Sequence, residues 1–199
     1  MSVTPKKIFI LQANEESASL CGHIAEHYAT TAQAAGHSVE LVHIGDLAFD
    51  PLLHRGYREI QDLEPDLVMV QDKIHACDHF VIVYPIWWST MPALLKGLFD
   101  RIWLPGFAFR FKKDAQGKRQ LGFDKLLKGK TARIIVTLNN FVLLERFMYG
   151  NYMTDIENAI LRFAGFKTRI SEFGTVENIS EKSLANIKQT VGVLATKGL

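Results

Sequence analysis

The sequence predicts an α/β fold in which a parallel sheet is covered by helices on both faces. Three observations carry that expectation. Five short strand-like runs alternate with segments of helical length, and parallel neighbours require such crossovers, which are right-handed. The runs at 8–11 and 80–83 are apolar without a break, as strands buried on both faces must be. A chain of 199 residues, 48% of them hydrophobic, supplies one core of ordinary size, so a single domain spanning 1–199 is expected.

The elements follow in order. Residues 7–13 form the first strand, and 19–35, polar on one face and rich in Ala and His, the first helix, which Gly36 ends. Residues 38–44 set Val39, Leu41 and Ile44 among polar residues, as a half-buried edge strand does. Between 45 and 63, Asp, Pro, Gly and His recur without a period, which marks a surface loop with at most one short helical turn. A helix over 64–76 leads to a central strand at 79–84, stopped by Pro85. Pro92 opens the next helix, where its missing N–H costs nothing, and Leu94, Leu95, Leu98, Phe99, Ile102 and Trp103 share one face before Pro105 and Gly106 end it. Residues 107–130 read as irregular and basic; a strand at 131–138, a helix at 154–164, a strand at 167–173 and a helix at 180–197 complete the chain.

Composition excludes several classes of function. With 23 basic and 21 acidic residues, the net charge of +2 does not supply the field of a duplex-binding protein, so no nucleic-acid partner is expected. Cys21 and Cys77 are too few for a disulfide scaffold and form no Cys-x-x-Cys pair, which fits a reducing compartment. The apolar run at 8–11 is cut short by Gln12, Asn14, Glu15 and Glu16, so neither a signal-peptide core nor membrane insertion is expected and the protein reads as cytoplasmic. His23 and His27 stand one helical turn apart, but no third ligand accompanies them, and no metal is expected.

In an open α/β sheet, ligands bind beyond the carboxyl ends of the strands near the point where strand order reverses, so the loops after the first, third and fourth strands matter most. The first, 12–20, holds Ser17 and Ser19 ahead of a helix start. They read either as an N-cap or as hydroxyls that surround a phosphate together with free N–H groups. No Walker or Gly-x-Gly-x-x-Gly motif occurs there, which argues against a nucleoside triphosphate or a Rossmann-type dinucleotide. The second loop, Pro85-Ile86-Trp87-Trp88 onward, carries paired tryptophans that either pack into a core or subunit contact or are covered by a flat aromatic ligand. The third, Thr137-Leu138-Asn139-Asn140, is an ordinary polar turn or a set of donors for negative charge on a bound ring.

The stretch 84–109 opens Tyr84-Pro85-Ile86-Trp87-Trp88-Ser89-Thr90-Met91-Pro92 and closes Trp103-Leu104-Pro105-Gly106-Phe107-Ala108-Phe109. It closely resembles the signature of the flavodoxin-like NAD(P)H quinone oxidoreductases. The resemblance also takes in Ser17-Ala18-Ser19-Leu20 and Phe163-Ala164-Gly165-Phe166, and so covers nearly the whole chain in order. It implies a three-layer sandwich with five parallel strands in the order 2-1-3-4-5. It places Ser17, Ser19 and the Leu20 backbone on a flavin phosphate, with Pro85, Ile86, Trp87 and Trp88 and Thr137, Leu138, Asn139 and Asn140 around the isoalloxazine. The implied cofactor is FMN, with FAD as the alternative.

The same resemblance implies a homodimer with sites completed across a two-fold axis, and a two-electron ping-pong transfer from NAD(P)H through flavin to quinones or similar flat acceptors. Trp88, Phe109 and Phe111 then bind the substrate, while Asn139, Asn140 and Tyr149 are the expected catalytic group. Phe109 and Phe111 stand where well-known quinone reductases of the family have tyrosines. The family's histidine in the loop after the fourth strand has no counterpart, since no histidine follows His79; Arg146 or Tyr149 is the candidate for its charge-compensating role. The basic residues between Arg110 and Arg133 either attract the phosphates of NAD(P)H or form a solvated loop. The alternative functions are a flavin-bound electron carrier and a regulatory subunit of the kind the family supplies to potassium efflux systems.

Overall fold

The computed structural model describes residues 4–59 and 61–199. Its main sheet has five parallel strands: β1 (Lys7–Gln12), β2 (Ser38–His43), β3 (His79–Pro85), β6 (Thr131–Thr137) and β7 (Lys167–Phe173), in the order β2-β1-β3-β6-β7. This is the predicted 2-1-3-4-5 order. The numbering skips because an antiparallel hairpin, β4 (Phe109–Lys113) with β5 (Arg119–Lys125), intervenes outside the sheet.

Alternation along the central strands builds two cores. In β1, Phe9 and Leu11 point to one side and Ile8 and Ile10 to the other; in β3, Phe80, Ile82 and Tyr84 oppose Val81 and Val83; in β6, Ile134 and Val136 oppose Ile135. The second face is covered by α1 (Leu20–Ala34) through Ile24, Ala25 and Tyr28 and by α5 (Glu181–Lys197) through Ile187, Val191 and Ala195. The first is covered by α2 (Pro65–Ala76) through Leu67, Val70 and Ile74 and by α3 (Ala93–Ile102) through Leu95, Leu98, Phe99 and Ile102. Each Val, Leu, Ile or Phe side chain among these contributes roughly 1.5–3 kcal/mol by leaving water.

The loop before α2 is irregular apart from a 3₁₀ turn at Ile44–Asp46, as expected, yet it is pinned down firmly. Arg101 of α3, 1% exposed, donates to the carbonyls of Asp50 and Asp62 and forms a forked pair with Glu64, closest at 2.8 Å. Pro51 meanwhile lies where a β-carbon on Gly97 would be, 2.4 Å away.

Three expectations need correction. Residues 107–130 are not irregular, because Phe109, Phe111 and Phe123 alternate with charged residues and their rings meet across the hairpin and against Phe163. Asp114 ties the connecting turn through the N–H groups of Gln116 and Lys118. A short helix, α4 (Val142–Tyr149), occupies residues that had no element assigned. Within the helix expected at 154–164, Asp155–Arg162 is wound as a π-helix, so Ile156 and Leu161 reach the core five residues apart.

Candidate flavin-type site at the C-terminal edge of the sheet

The loops after β1, β3 and β6 meet at one end of the sheet. Ala13 N–H donates to the carbonyl of Val83 at 2.7 Å, and Ile86 N–H to that of Thr137 at 2.8 Å, so each loop starts in register with its neighbour. Beneath them the thiol of Cys21 lies 3.3 Å from the Thr137 hydroxyl. Burial pushes that thiol up to about 11, so it stays protonated and packs as an apolar group.

Ser19 caps α1, its hydroxyl accepting the Gly22 N–H at 3.3 Å, so the N-cap reading of this serine is correct as far as it goes. Ser17 is exposed, and the first turn of α1 carries no acidic residue to offset its partial positive charge. The turn is wound so tightly that a β-carbon on Gly22 would lie 1.7 Å from the Ser17 oxygen. Ser17, Ser19 and Leu20 thus surround a helix N-terminus whose leading N–H groups are open to an anion.

In the second loop Pro85 and Ile86 are buried, and Trp87 and Thr90 exchange two backbone hydrogen bonds of 3.0 and 3.1 Å around a two-residue turn. The turn residues, Trp88 and Ser89, have φ of 50° and 59°, the left-handed geometry of a type I′ turn, here made without glycine. Such residues cost free energy unless their surroundings hold them. Trp88 is 99% exposed, so the indole is committed to no core packing within the protomer.

In the third loop Thr137 and Leu138 are buried, and Asn139 and Asn140 are exposed. Leu138 N–H donates to Phe173 at 2.9 Å, and Gly174 lies so close that a β-carbon there would be 2.6 Å from the Asn140 oxygen. The Asn140 amide donates to Glu145 at 2.7 Å, and the Ser89 hydroxyl donates to the other oxygen of the same carboxylate at 2.7 Å. Glu145 is 5% exposed.

A cavity of about 280 Å³ lies among these groups, lined by Ile86, Trp88, Ser89, Leu138, Asn139, Asn140, Glu145 and Tyr149. It is of a size for a flat ring system rather than for a whole dinucleotide. Tyr149 stands on its rim, whereas Arg146 is turned away and paired with Glu172, which also accepts from the Tyr152 hydroxyl. Of the two candidates for charge compensation, the geometry leaves only Tyr149 at the cavity. Glu145 had no place in the sequence reading; its signal is an acid set singly in the apolar run 141–149.

Phe109 and Phe111 do not join Trp88. They line a second cavity of about 820 Å³ with Tyr57, Phe99, Trp103 and Phe163, and Arg119 lies 3.5 Å over the Phe111 ring. The expected substrate-binding residues Trp88, Phe109 and Phe111 are therefore divided between two cavities within the protomer, because the hairpin's aromatic face closes on Phe163. The aromatic stripe at 107–111 is accordingly half-buried against the chain itself. His27 is engaged by the Lys188 carbonyl at 2.9 Å, and among the described residues no group of three or more His, Cys, Asp or Glu could hold a metal ion. No helix among them is long and apolar enough to cross a membrane.

Strand order, two-sided helix cover and a helix N-terminus beside an aromatic-rimmed cavity define a flavodoxin-type α/β protein. The profile of the family described as flavodoxin-like fold matches residues 6–192, and the chain belongs to that family. It is similar to the ribosyldihydronicotinamide dehydrogenase [quinone] of Pongo abelii, 24% identical over 89% of this chain and 84% of that one. It is also similar to an uncharacterized NAD(P)H oxidoreductase of Haemophilus influenzae, 29% identical over 80% of this chain and 79% of the other. Among solved structures, Smu.1420 from Streptococcus mutans UA159 superposes with a TM-score of 0.78 at 26% identity, covering 97% of this chain and 100% of that one. The resemblance to flavodoxin-like quinone oxidoreductases read from residues 84–109 thus stands.

Proposed function

We propose that the protein is a flavin-dependent NAD(P)H:quinone oxidoreductase, cytoplasmic and homodimeric, with FMN as its cofactor. The observation that carries the proposal is the convergence of Ile86, Trp88, Leu138, Asn139, Asn140 and Tyr149 on one cavity, at the same end of the sheet as the N-terminus of α1. The donor set fits such a group. Serine hydroxyls and unopposed helix N–H groups suit a phosphate monoester, and the turn at 137–140 offers amide donors for negative charge on a ring.

A bound flavin would supply two-electron chemistry, taking a hydride from NAD(P)H and returning it to a quinone or similar acceptor in a ping-pong cycle. The residues of this chain do the rest. Ser17, Ser19 and the Leu20 backbone would bind the phosphate, while Pro85, Ile86, Trp87 and Thr137 would hold the ring. The N–H group and side chain of Asn139 would stabilise charge on the ring, joined by the main-chain N–H of Asn140. Trp88 would offer a π-face to NAD(P)H and acceptor in turn, and Tyr149, which lines the cavity, would hold or pass a proton on its hydroxyl.

The division of Trp88 from Phe109 and Phe111 favours completion of the site by a second copy. A two-fold pair that sets Phe109 and Phe111 of one protomer opposite the Trp88 of its partner would bring the expected substrate-binding residues together. Stacking asks only for a π-face, so the pair would accept a broad range of flat acceptors.

The test is an anaerobic titration of FMN-reconstituted protein with NADPH and then NADH, following flavin absorbance, with menadione added after bleaching. Rapid bleaching and recovery is the expected result. Flavin that binds yet stays oxidised for minutes would move the weight to a carrier or regulatory subunit, and failure to bind FMN or FAD would remove the site assignment.

A further inference from the structure

Helix α4 is built inside out. Leu143, Phe147, Met148 and Tyr149 face solvent, while the helix presents a carboxylate, Glu145, to the protein. An acid in that position demands an explanation, since desolvating a carboxylate is costly and no Lys, Arg or His among the described residues pairs with it. Its two oxygens are met instead by one neutral donor each, the Ser89 hydroxyl and the Asn140 amide, both at 2.7 Å.

These two donors belong to different loops. Ser89 is half of the left-handed turn that follows β3, and Asn140 ends the turn that follows β6. Chain connectivity does not fix the distance between them: Ser89 lies 56 positions and Asn140 5 positions before Glu145, so 51 positions separate the two donors. The strained turn at Trp88 and Ser89 would relax toward negative φ if nothing held it. The neighbouring bonds have the same purpose of seating α4, with Arg146 gripping Glu172 at the end of β7.

We propose that Glu145 is a positioning residue that clamps the two ring-binding loops at a fixed separation, holding Trp88 at the mouth of the cavity through Ser89 and the donor turn through Asn140. The inference rests on the flavin reading above and adds a residue that the sequence did not single out. It also assigns the Asn140 side chain a task within the protein, which leaves Asn139 and the main-chain N–H groups as the donors that face a ring.

The experiment measures FMN affinity of the apoprotein by quenching of flavin fluorescence, alongside thermal melts without flavin. The variants are Glu145→Ala, Glu145→Gln, and Ser89→Ala/Asn140→Ala with and without Glu145→Ala. A hydrogen bond to a charged group is worth about a tenfold change, so Glu145→Ala is expected to weaken FMN by roughly tenfold or more. Glu145→Gln keeps one acceptor oxygen and recovers part of that loss. With both donors already removed, adding Glu145→Ala changes affinity by less than about twofold.

Wild-type affinity in Glu145→Ala, or full additivity with the donor variants, would overturn the clamp. Should Glu145→Ala fail to fold, Glu145→Gln decides: folded with weakened FMN it supports the clamp, folded with unchanged FMN it overturns it. Failure of the wild-type chain to bind FMN overturns the flavin reading first and this inference with it, so the two failures are told apart by the wild-type control.

Discussion

The carbonyl oxygen of Ser17 occupies the space that a β-carbon on Gly22 would need, only 1.7 Å from its ideal position. The loop after β1 therefore folds back onto the first turn of α1, and the serine hydroxyls and helix N–H groups are held in one small volume. In most exposed helix positions Gly→Ala stabilises by up to about 1 kcal/mol. Here the sign reverses: Gly22→Ala is expected to cost about 2 kcal/mol or more in urea unfolding and to weaken FMN, measured by fluorescence titration, at least tenfold.

Trp88 and Ser89 hold positive φ without being glycine. Replacing Trp88 by Gly removes an exposed side chain and a strained backbone together, so apoprotein stability should stay level or rise by up to about 1 kcal/mol in a thermal melt. The same change deletes the π-face at the cavity mouth and should raise the KM for menadione severalfold. Loss of stability in Trp88→Gly would mean that the indole is packed in solution.

Arg101 is buried with its guanidinium divided between Glu64 and two carbonyls. Arg101→Met leaves the Asp50 and Asp62 carbonyls without this donor and Glu64 with only the Asp50 N–H, at 3.1 Å, and should cost about 3–5 kcal/mol in chemical denaturation; Arg101→Lys, lacking the fork, should rescue little. Burial is the largest single influence and works to raise the Glu64 carboxyl, but the Arg101 hydrogen bonds and charge together with backbone N–H donors outweigh it, so the group is lowered from 4.5. Its contribution is therefore present above about pH 4.5 and lost as pH falls through the lowered value. That acid-side loss should shrink in Arg101→Met.

His79 at the start of β3 titrates with the opposite chemistry but the same sign. Burial first, and then the nearby Lys6 and Arg133 charges, push it from 6.5 down to about 3, with its Nδ1 2.7 Å from the Thr131 hydroxyl. Between those values the unfolded chain binds the proton and the folded chain does not. Stability is thus full above about pH 6.5 and declines toward pH 3, with a slope of up to about 1.4 kcal/mol per pH unit from this group. Denaturation at a series of pH values should show that slope in the wild type and a flatter curve in His79→Leu.

The sequence was most legible where one physical demand governs. Ile8 to Leu11 and Phe80 to Val83 must be buried on both faces, and that demand alone identifies parallel strands and places the loops beyond them. It was least legible where two demands conflict. Phe109, Phe111 and Phe123 carry the period of a strand, but the lysines and arginines between them give the segment the composition of a loop. The apolar residues between Leu143 and Tyr149 suggest burial, whereas the structure turns them outward and keeps Glu145 in, and one of the two partners that hold it, Ser89, lies 56 positions away on another loop. Phe109, Phe111 and Trp88 were grouped from a resemblance that describes an assembled pair, and one protomer cannot display such a grouping by itself.

The strand order has a consequence for how the protein is made. Because β1 lies between β2 and β3, three strands can associate on the ribosome once residue 85 has emerged, and the sheet then grows in one direction toward β6 and β7. The face that α1 shares with α5 has no such early partner, since Ile24 and Tyr28 pack with α5, which is synthesised only after all five strands. A nascent chain halted before residue 181 would therefore display an open apolar face along the helix that begins the phosphate loop. Chaperones and proteases could read that face as a mark of an unfinished molecule, and its closure as the signal that translation had run through α5.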